Sequence, residues 1–281
     1  MKTYNLFYTI KNEWVTNVGL LDSLLHANAH ESSILYIHSG LSFGIPNPDI
    51  PKNELLQILF DTIFELNVPT ICVPTFTFSF CNGIDFDVQN SKSKMGILNE
   101  FIRKKPGTIR SVDPLMSVAL IGEDKDLVTG IGHESIGKDS TFYKLHYRDN
   151  VRFLFLGTRP GDCFTYMHFI EKFMNVGYRY DRNFTGRIID GENNYQDTFT
   201  LFVRYRNIFP GKGSYQYEEI LSEKRISRKY AFGNSYITTL EESPAFEIYQ
   251  DLIDHNHNFF IDPSSINDYD KTFEVKNMVA L

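Results

Sequence analysis

The sequence predicts an α/β protein built in layers, and three observations carry that prediction. Apolar runs of strand length alternate with stretches of helical apolar spacing between residues 13 and 121. Gly, Ser and Thr gather where those runs end, as in His38-Ser39-Gly40-Leu41-Ser42 and Pro74-Thr75-Phe76-Thr77. A chain of 281 residues with 42% apolar content can also bury a large core. No repeat, low-complexity segment or linker divides it. One domain over 1–281 is therefore expected, with a hairpin-containing lobe at about 178–230.

Residues 13–28 carry helical apolar spacing, with Thr16 placed as N-cap. Ser33 to Ile37 reads as a short buried strand that runs straight into the hydroxyl-rich turn at 38–42. Such a turn offers backbone N–H groups to a phosphate or a carbonyl. Lys52 to Leu66 is the next helix, introduced by Pro51. Val68 to Pro74 is a second buried strand. The alternating hydroxyls and aromatics of Thr75 to Phe80 read either as the wall of a polar site or as an edge strand with two faces. The loop from Gly83 to Asn90 is long, acidic and aromatic, a composition suited to ligand binding. A helix from Ser93 to Arg103 and a turn-rich connector, Pro106 to Pro114, lead to a strand over Ser117 to Ile121.

Val151 to Leu156 is a third buried strand, ending at Gly157. Asp162 or Thr165 is placed to cap a helix from about Phe164 to Met174. Two strands, Phe184 to Ile189 and Phe199 to Tyr205, follow around a turn at Asp190 to Asn194, after a polar aromatic stretch at Tyr178 to Asn183. A helix opens at Tyr215, and the last one spans Pro244 to His255. The tail after Pro263 is polar and expected to fray.

Composition excludes several classes of function. Net charge is −7 with no basic cluster, which argues against a nucleic-acid partner and suits a cationic ligand. Three cysteines form no disulfide framework and no metal-ligand spacing, so no metal and a reducing compartment are expected. No apolar run approaches a membrane span and no signal region opens the chain, which points to a soluble cytoplasmic protein.

The chemistry concentrates on the helix expected from about Phe164 to Met174. His168 and Glu171, three residues apart, share a helix face and can touch. A carboxylate beside an imidazole fixes its tautomer and raises its basicity, as a general base requires. The same spacing also fits a half-buried histidine beside a surface glutamate. Cys163 offers a covalent alternative, but five residues from His168 it falls on a different helix face.

Further segments occur in a fixed order. His38-Ser39-Gly40-Leu41-Ser42-Phe43-Gly44, Pro74-Thr75-Phe76-Thr77, Met95 to Arg103 and Pro106-Gly107-Thr108-Ile109-Arg110-Ser111 come first. Asp113 to Ala119, Ser140 to Leu145 and Thr165-Tyr166-Met167-His168-Phe169-Ile170-Glu171 follow. This series resembles the aminoglycoside 3-N-acetyltransferase family over nearly the whole chain. The resemblance implies a layered mixed sheet flanked by helices, the fold of that family, and an N-acetyltransferase that uses acetyl-CoA as cosubstrate. It maps the family's catalytic histidine onto His168, with Glu171 as partner. Ser39, Leu41, Ser42, Thr75, Thr77, Met95, Arg110 and Ser111 map onto the walls around the cofactor and reaction centre. Asp85, Asp87 and Asp113 are candidates for contact with the acceptor, a small amino sugar, and a homodimer is compatible with this reading.

Two departures stand out. Asp113 occupies a position where the family usually has histidine, and Thr141 one where it has proline. Asp113 replaces a donor or base by an acceptor, which bears on the substrate more than on the chemistry. The acceptor is thus expected to be an aminoglycoside or a nucleotide-linked or cell-surface amino sugar. A silent relative that binds CoA or sugar without turnover is the other class, and the presence of both His168 and Glu171 argues against it.

Overall fold

In the computed structural model, which describes residues 2–265, three buried strands form the centre of a seven-stranded sheet. In chain order the elements begin with β1 (Asn5–Tyr8), β2 (Trp14–Thr16), α1 (Asn17–His26), β3 (Ile34–Ser39), β4 (Ile45–Pro46), α2 (Lys52–Phe64) and β5 (Thr70–Pro74). They continue through β6 (Phe86–Asp87), α3 (Ile97–Arg103), β7 (Ile109–Arg110), β8 (Val118–Gly122), α4 (Thr141–His146) and β9 (Val151–Leu156). The second half holds α5 (Pro160–Cys163), α6 (Met167–Phe173), β10 (Arg179–Asp190), β11 (Asn193–Arg204), α7 (Gly213–Glu223), β12 (Ser227–Phe232), β13 (Ser235–Glu241) and α8 (Glu242–His255).

The main sheet has the order β12-β13-β9-β3-β5-β8-β7. β3 runs parallel to β9 and β5, and the flanking pairs are antiparallel, so the sheet is mixed. The central strands are continuous apolar runs because helices cover both faces. Alternate residues separate cleanly. Tyr36, Cys72, Phe153 and Phe155 join one cluster with Phe142 of α4, Phe169 of α6, Leu221 of α7 and Tyr249 of α8. Leu35, Ile37, Ile71, Val73 and Leu154 join the other with Leu24 of α1, Leu59 of α2 and Ile102 of α3.

Local signals explain some element ends. Thr16 caps α1, its Oγ1 accepting from Gly19 N at 3.1 Å, as its position in the sequence predicts. Pro51 precedes α2. The expected helix over 164–174 is shorter, beginning at Met167, and a separate turn, α5, precedes it; Phe164 (φ −72°, ψ 79°) leaves the helical region between the two. Neither Asp162 nor Thr165 caps it, and no side chain caps α6. Thr75 to Phe80 is not an edge strand but a loop, with Phe78 at φ 56°. The hairpin is longer than its apolar segments suggest. β10 and β11 pair without interruption from Arg179↔Arg204 to Asp190↔Asn193, leaving a two-residue turn at Gly191-Glu192. Backbone pairing does not need apolar side chains, so the polar ends stay in the ladder. β6 adds to β10, while β2-β1-β4 forms a separate small sheet.

Among the described residues, no helix is long and apolar enough to cross a membrane. The expected frayed tail begins with a short turn at Pro263–Ser265, and the rest of it lies outside the described residues.

Candidate active site

β3 is the point from which the sheet grows in both directions. The chain leaves β3 through α2 towards β5, whereas β9, on the other side of β3, continues towards β13. Crevices of this kind, at the carboxyl ends of diverging parallel strands, are where open α/β sheets bind ligands. Here the two turns that follow β3 and β9 touch backbone to backbone. The N–H groups of Gly40 and Leu41 both donate to Leu156 O, at 2.9 and 3.1 Å, and Ser42 Oγ donates to Gly157 O. Gly157 has φ +64°, and a Cβ there would lie 2.6 Å from Ser42 N. A Cβ on Gly40 would come within 2.8 Å of Gly157 O. Only glycines allow this crossing.

Ser39, at the end of β3, donates to Asn99 Oδ1 at 2.9 Å. Asn99 of α3 in turn donates to Pro74 O at the end of β5, which joins two strand ends through one side chain. Met95 is half-buried against the aromatic cluster just before α3. The structure places Ser39, Leu41 and Ser42 at the crevice end of β3.

Thr75, Arg110 and Ser111 form a second, internal knot. Thr75 Oγ1 donates to Ser117 O at 3.0 Å and accepts from Arg110 Nε at 3.1 Å. The same guanidinium donates to Val88 O, Ser91 O and Thr75 O, so it pins the acidic loop to the sheet edge. Burial pushes its pKa down to about 9. Ser111 Oγ accepts from Val118 N, and Thr77 Oγ1 pairs with Ser79 Oγ.

The three candidate acidic residues are also engaged. Asp113 is buried, and its Oδ1 accepts from Leu115 N, Met116 N and Ser135 Oγ at 2.8 to 3.0 Å. Burial raises its pKa against those bonds. Asp87 accepts from the N–H groups of Gln89 and Asn90, an Asx turn within its own loop. Asp85 is ion-paired with Arg187 of β10.

His168 and Glu171 meet as their spacing requires. Nδ1 of His168 lies 2.7 Å from Glu171 Oε2. The imidazole keeps 23% of its side-chain surface exposed, whereas Glu171 keeps 5%. Behind them stand two residues that sequence reasoning passed over. Tyr178 Oη donates to Glu171 Oε1 at 2.9 Å, and Arg179 Nε lies 2.7 Å from Oε2. Arg179 Nη2 is also 2.9 Å from His168 Nδ1, and Nη1 donates to Phe202 O. Burial alone would raise the Glu171 carboxyl, but Arg179, His168 and Tyr178 together hold it at about 2. The His168 pKa is lowered, first by burial and then by Arg179, with Glu171 opposing both. The site thus couples a fixed carboxylate to a neutral, partly buried imidazole. Such a pair can accept a proton from an incoming nucleophile.

Cys163 sits apart from this pair, its thiol against Thr158 Oγ1 and Arg159 O, and burial pushes its pKa up to about 11. Among the described residues, no group of three His, Cys, Asp or Glu side chains could hold a metal.

Comparison with known proteins bears on the family and the fold. The profile of the aminoglycoside 3-N-acetyltransferase family matches residues 68–254. No curated protein sequence matches the chain. Among solved structures, aminoglycoside acetyltransferase AAC(3)-Xa superposes with a TM-score of 0.72 at 18% identity, over 86% of this chain and 93% of its own. AAC-IIIb in a binary complex with CoASH gives 0.70 at 15% identity, over 85% and 96%. AAC-VIa bound to sisomicin gives 0.71 at 17% identity, over 86% and 98%. These likenesses carry the fold, and the profile, which spans more than half of the chain, carries the family. The chain belongs to the aminoglycoside 3-N-acetyltransferase family and is an acyltransferase.

Proposed function

We propose that the protein transfers an acetyl group directly from acetyl-CoA to a primary amine of an aminoglycoside or related amino sugar, with His168 as general base. The observation that carries this reading is the 2.7 Å contact between His168 and a buried, ionised Glu171, with the imidazole still open to an acceptor. Glu171 accepts from Nδ1–H and so leaves Nε2 as the lone pair. The crevice at the carboxyl ends of β3 and β9, walled by the polar turns 39–42 and 157–158, suits a ligand such as acetyl-CoA. The CoASH and sisomicin complexes of similar folds support the choice of donor and acceptor class.

In this reading the neutral amine attacks the thioester carbon, and its nitrogen passes a proton to His168 Nε2. The C–S bond then breaks, and His168 returns the proton to the departing thiolate. No acyl-enzyme is needed. Ser39 and Thr75 already donate to Asn99 and to Ser117 O, and Thr77 pairs with Ser79. The N–H groups of Gly40 and Leu41 are likewise engaged with Leu156 O, and that of Gly157 with Tyr236 O, so none of these groups is a ready oxyanion donor.

CoA release from acetyl-CoA, measured against sisomicin, other 2-deoxystreptamine aminoglycosides and nucleotide-linked amino sugars, tests the proposal. Turnover on at least one amine, lost in His168→Ala, is the expected result. Undiminished turnover in that variant would remove the proposed base, and no turnover on any acceptor would favour a silent binding protein.

A further inference from the structure

We infer that Arg204, set opposite Arg179 in the hairpin, is an anion-binding position of the acceptor site and takes a phosphate or carboxylate carried by the amino sugar. The inference rests on His168 being the reaction centre. Arg179 and Arg204 are direct cross-strand partners at the open end of β10 and β11. Like charges in that position repel and weaken an antiparallel pair. A chain with a net charge of −7 nonetheless places two guanidiniums side by side at this point.

The two are not equivalent. Arg179 is compensated by Glu171 and by Phe202 O. Arg204 is half-buried, and among the described residues its side chain makes neither a hydrogen bond nor an ion pair. Burial, and next Arg179, weaken its protonation, while Glu171 opposes them. A half-buried guanidinium beside a second cation, with no carboxylate in direct contact, is a position that a bidentate oxyanion fills well.

Position decides which substrate supplies the anion. Arg179 bridges the arginine pair to the imidazole, its Nη2 lying 2.9 Å from His168 Nδ1. The phosphates of CoA are separated from the thioester by the whole pantetheine arm. With the thioester at His168 they lie well away from this pair, so an anion bound beside the base belongs to the acceptor. The acidic residues point the same way. Asp85 is paired with Arg187, Asp87 closes its own turn, and Asp113 is buried in another, so a polycation finds these three carboxylates already engaged.

The test uses inorganic pyrophosphate as probe, with a uridine-diphosphate-linked amino sugar and sisomicin as acceptors. By calorimetry the wild-type protein is expected to bind pyrophosphate, and Arg204→Gln to bind it about tenfold or more weakly. Arg204→Gln should raise the KM of the nucleotide-linked acceptor by a similar factor without a matching rise for acetyl-CoA, and Arg204→Lys should recover part of the loss. Equal pyrophosphate binding in wild type and Arg204→Gln would overturn the inference. So would a rise confined to the acetyl-CoA KM, which would assign the anion to the donor, or a clear preference for sisomicin that pyrophosphate does not inhibit. Failure of the acetyltransferase reading looks different: no acceptor releases CoA, while calorimetry still reports on Arg204.

Discussion

Nη2 of Arg179 lies 2.9 Å from Nδ1 of His168, the nitrogen that Glu171 Oε2 approaches to 2.7 Å. A cation and an anion therefore act on one imidazole from the same side. The carboxylate favours the imidazolium and fixes the tautomer, while burial and the guanidinium disfavour it. The balance keeps His168 neutral, which a base that must accept a proton requires. Arg179→Gln removes one of the two lowering influences. The His168 pKa should rise, and the acidic limb of the kcat/KM profile should move to higher pH. A pH–rate profile and an NMR titration of the imidazole both read this shift, and a move in the opposite direction would show that Arg179 does not act through His168.

The two members of the pair should fail differently. His168→Ala removes the base from a partly exposed position, so kcat is expected to fall by ~10² to 10⁴ with little change in folding. Glu171→Gln leaves Arg179 buried without its counter-charge, at a cost of about 3–5 kcal/mol. That variant should lose both activity and thermal stability. Thermal melts of the two proteins, set beside their turnover, separate a chemical role from an architectural one. Equal loss of Tm in both would contradict the division.

The crossing of the strand-end turns makes a steric prediction. Gly157 (φ +64°) and Gly107 (φ +84°) both adopt backbone that favours glycine, but only Gly157 is crowded. An added Cβ meets Ser42 N at 2.6 Å in the first case and nothing within 4 Å in the second. Gly107→Ala should cost roughly 1–2 kcal/mol, from the left-handed backbone alone. Gly157→Ala adds an overlap with backbone that cannot rotate away, bringing about 1–3 kcal/mol more and a loss of crevice geometry. Urea denaturation of the two variants compares them directly, and equal midpoints would mean the turns move apart easily.

Legibility in the sequence followed the range of the interaction. His168 and Glu171 could be paired because the contact is local, set by three residues of helix. The central strands were legible because burial on both faces leaves them apolar throughout. The helix break at Phe164 left no mark, since no Pro or Gly occupies that position. The partners of Arg110 and Asp113 were equally hidden. The acceptors of Arg110, and Ser135 beside Asp113, come from segments brought together only by the fold, although Asp113 also closes a local turn with Leu115 and Met116. Arg179 lay in a stretch read simply as polar and aromatic, and its opposition to Arg204 depends on a hairpin register that apolar patterning does not fix.

His38 links the site to acid stability. It ends the buried part of β3, its ring stacked on Phe155 at 5.0 Å, and Nε2 has no hydrogen-bond partner among the described residues. Burial pushes its pKa from 6.5 down to about 3. Below pH 6.5 the unfolded chain therefore binds a proton that the folded chain refuses until about pH 3. Stability contributed by the neutral ring is present above 6.5 and is lost as the pH falls through that window. Glu171 and Glu100, held at about 2 against an ordinary 4.5, add a loss of the same sign below pH 4.5. Between pH 6.5 and 4.5 the histidine effect can be read without them. His38→Phe keeps the stack on Phe155 and removes the titration, so its Tm should fall less steeply than that of the wild type across this interval. An identical slope would mean that the folded protein admits a proton at His38, and that the end of β3 is wetter than its packing indicates.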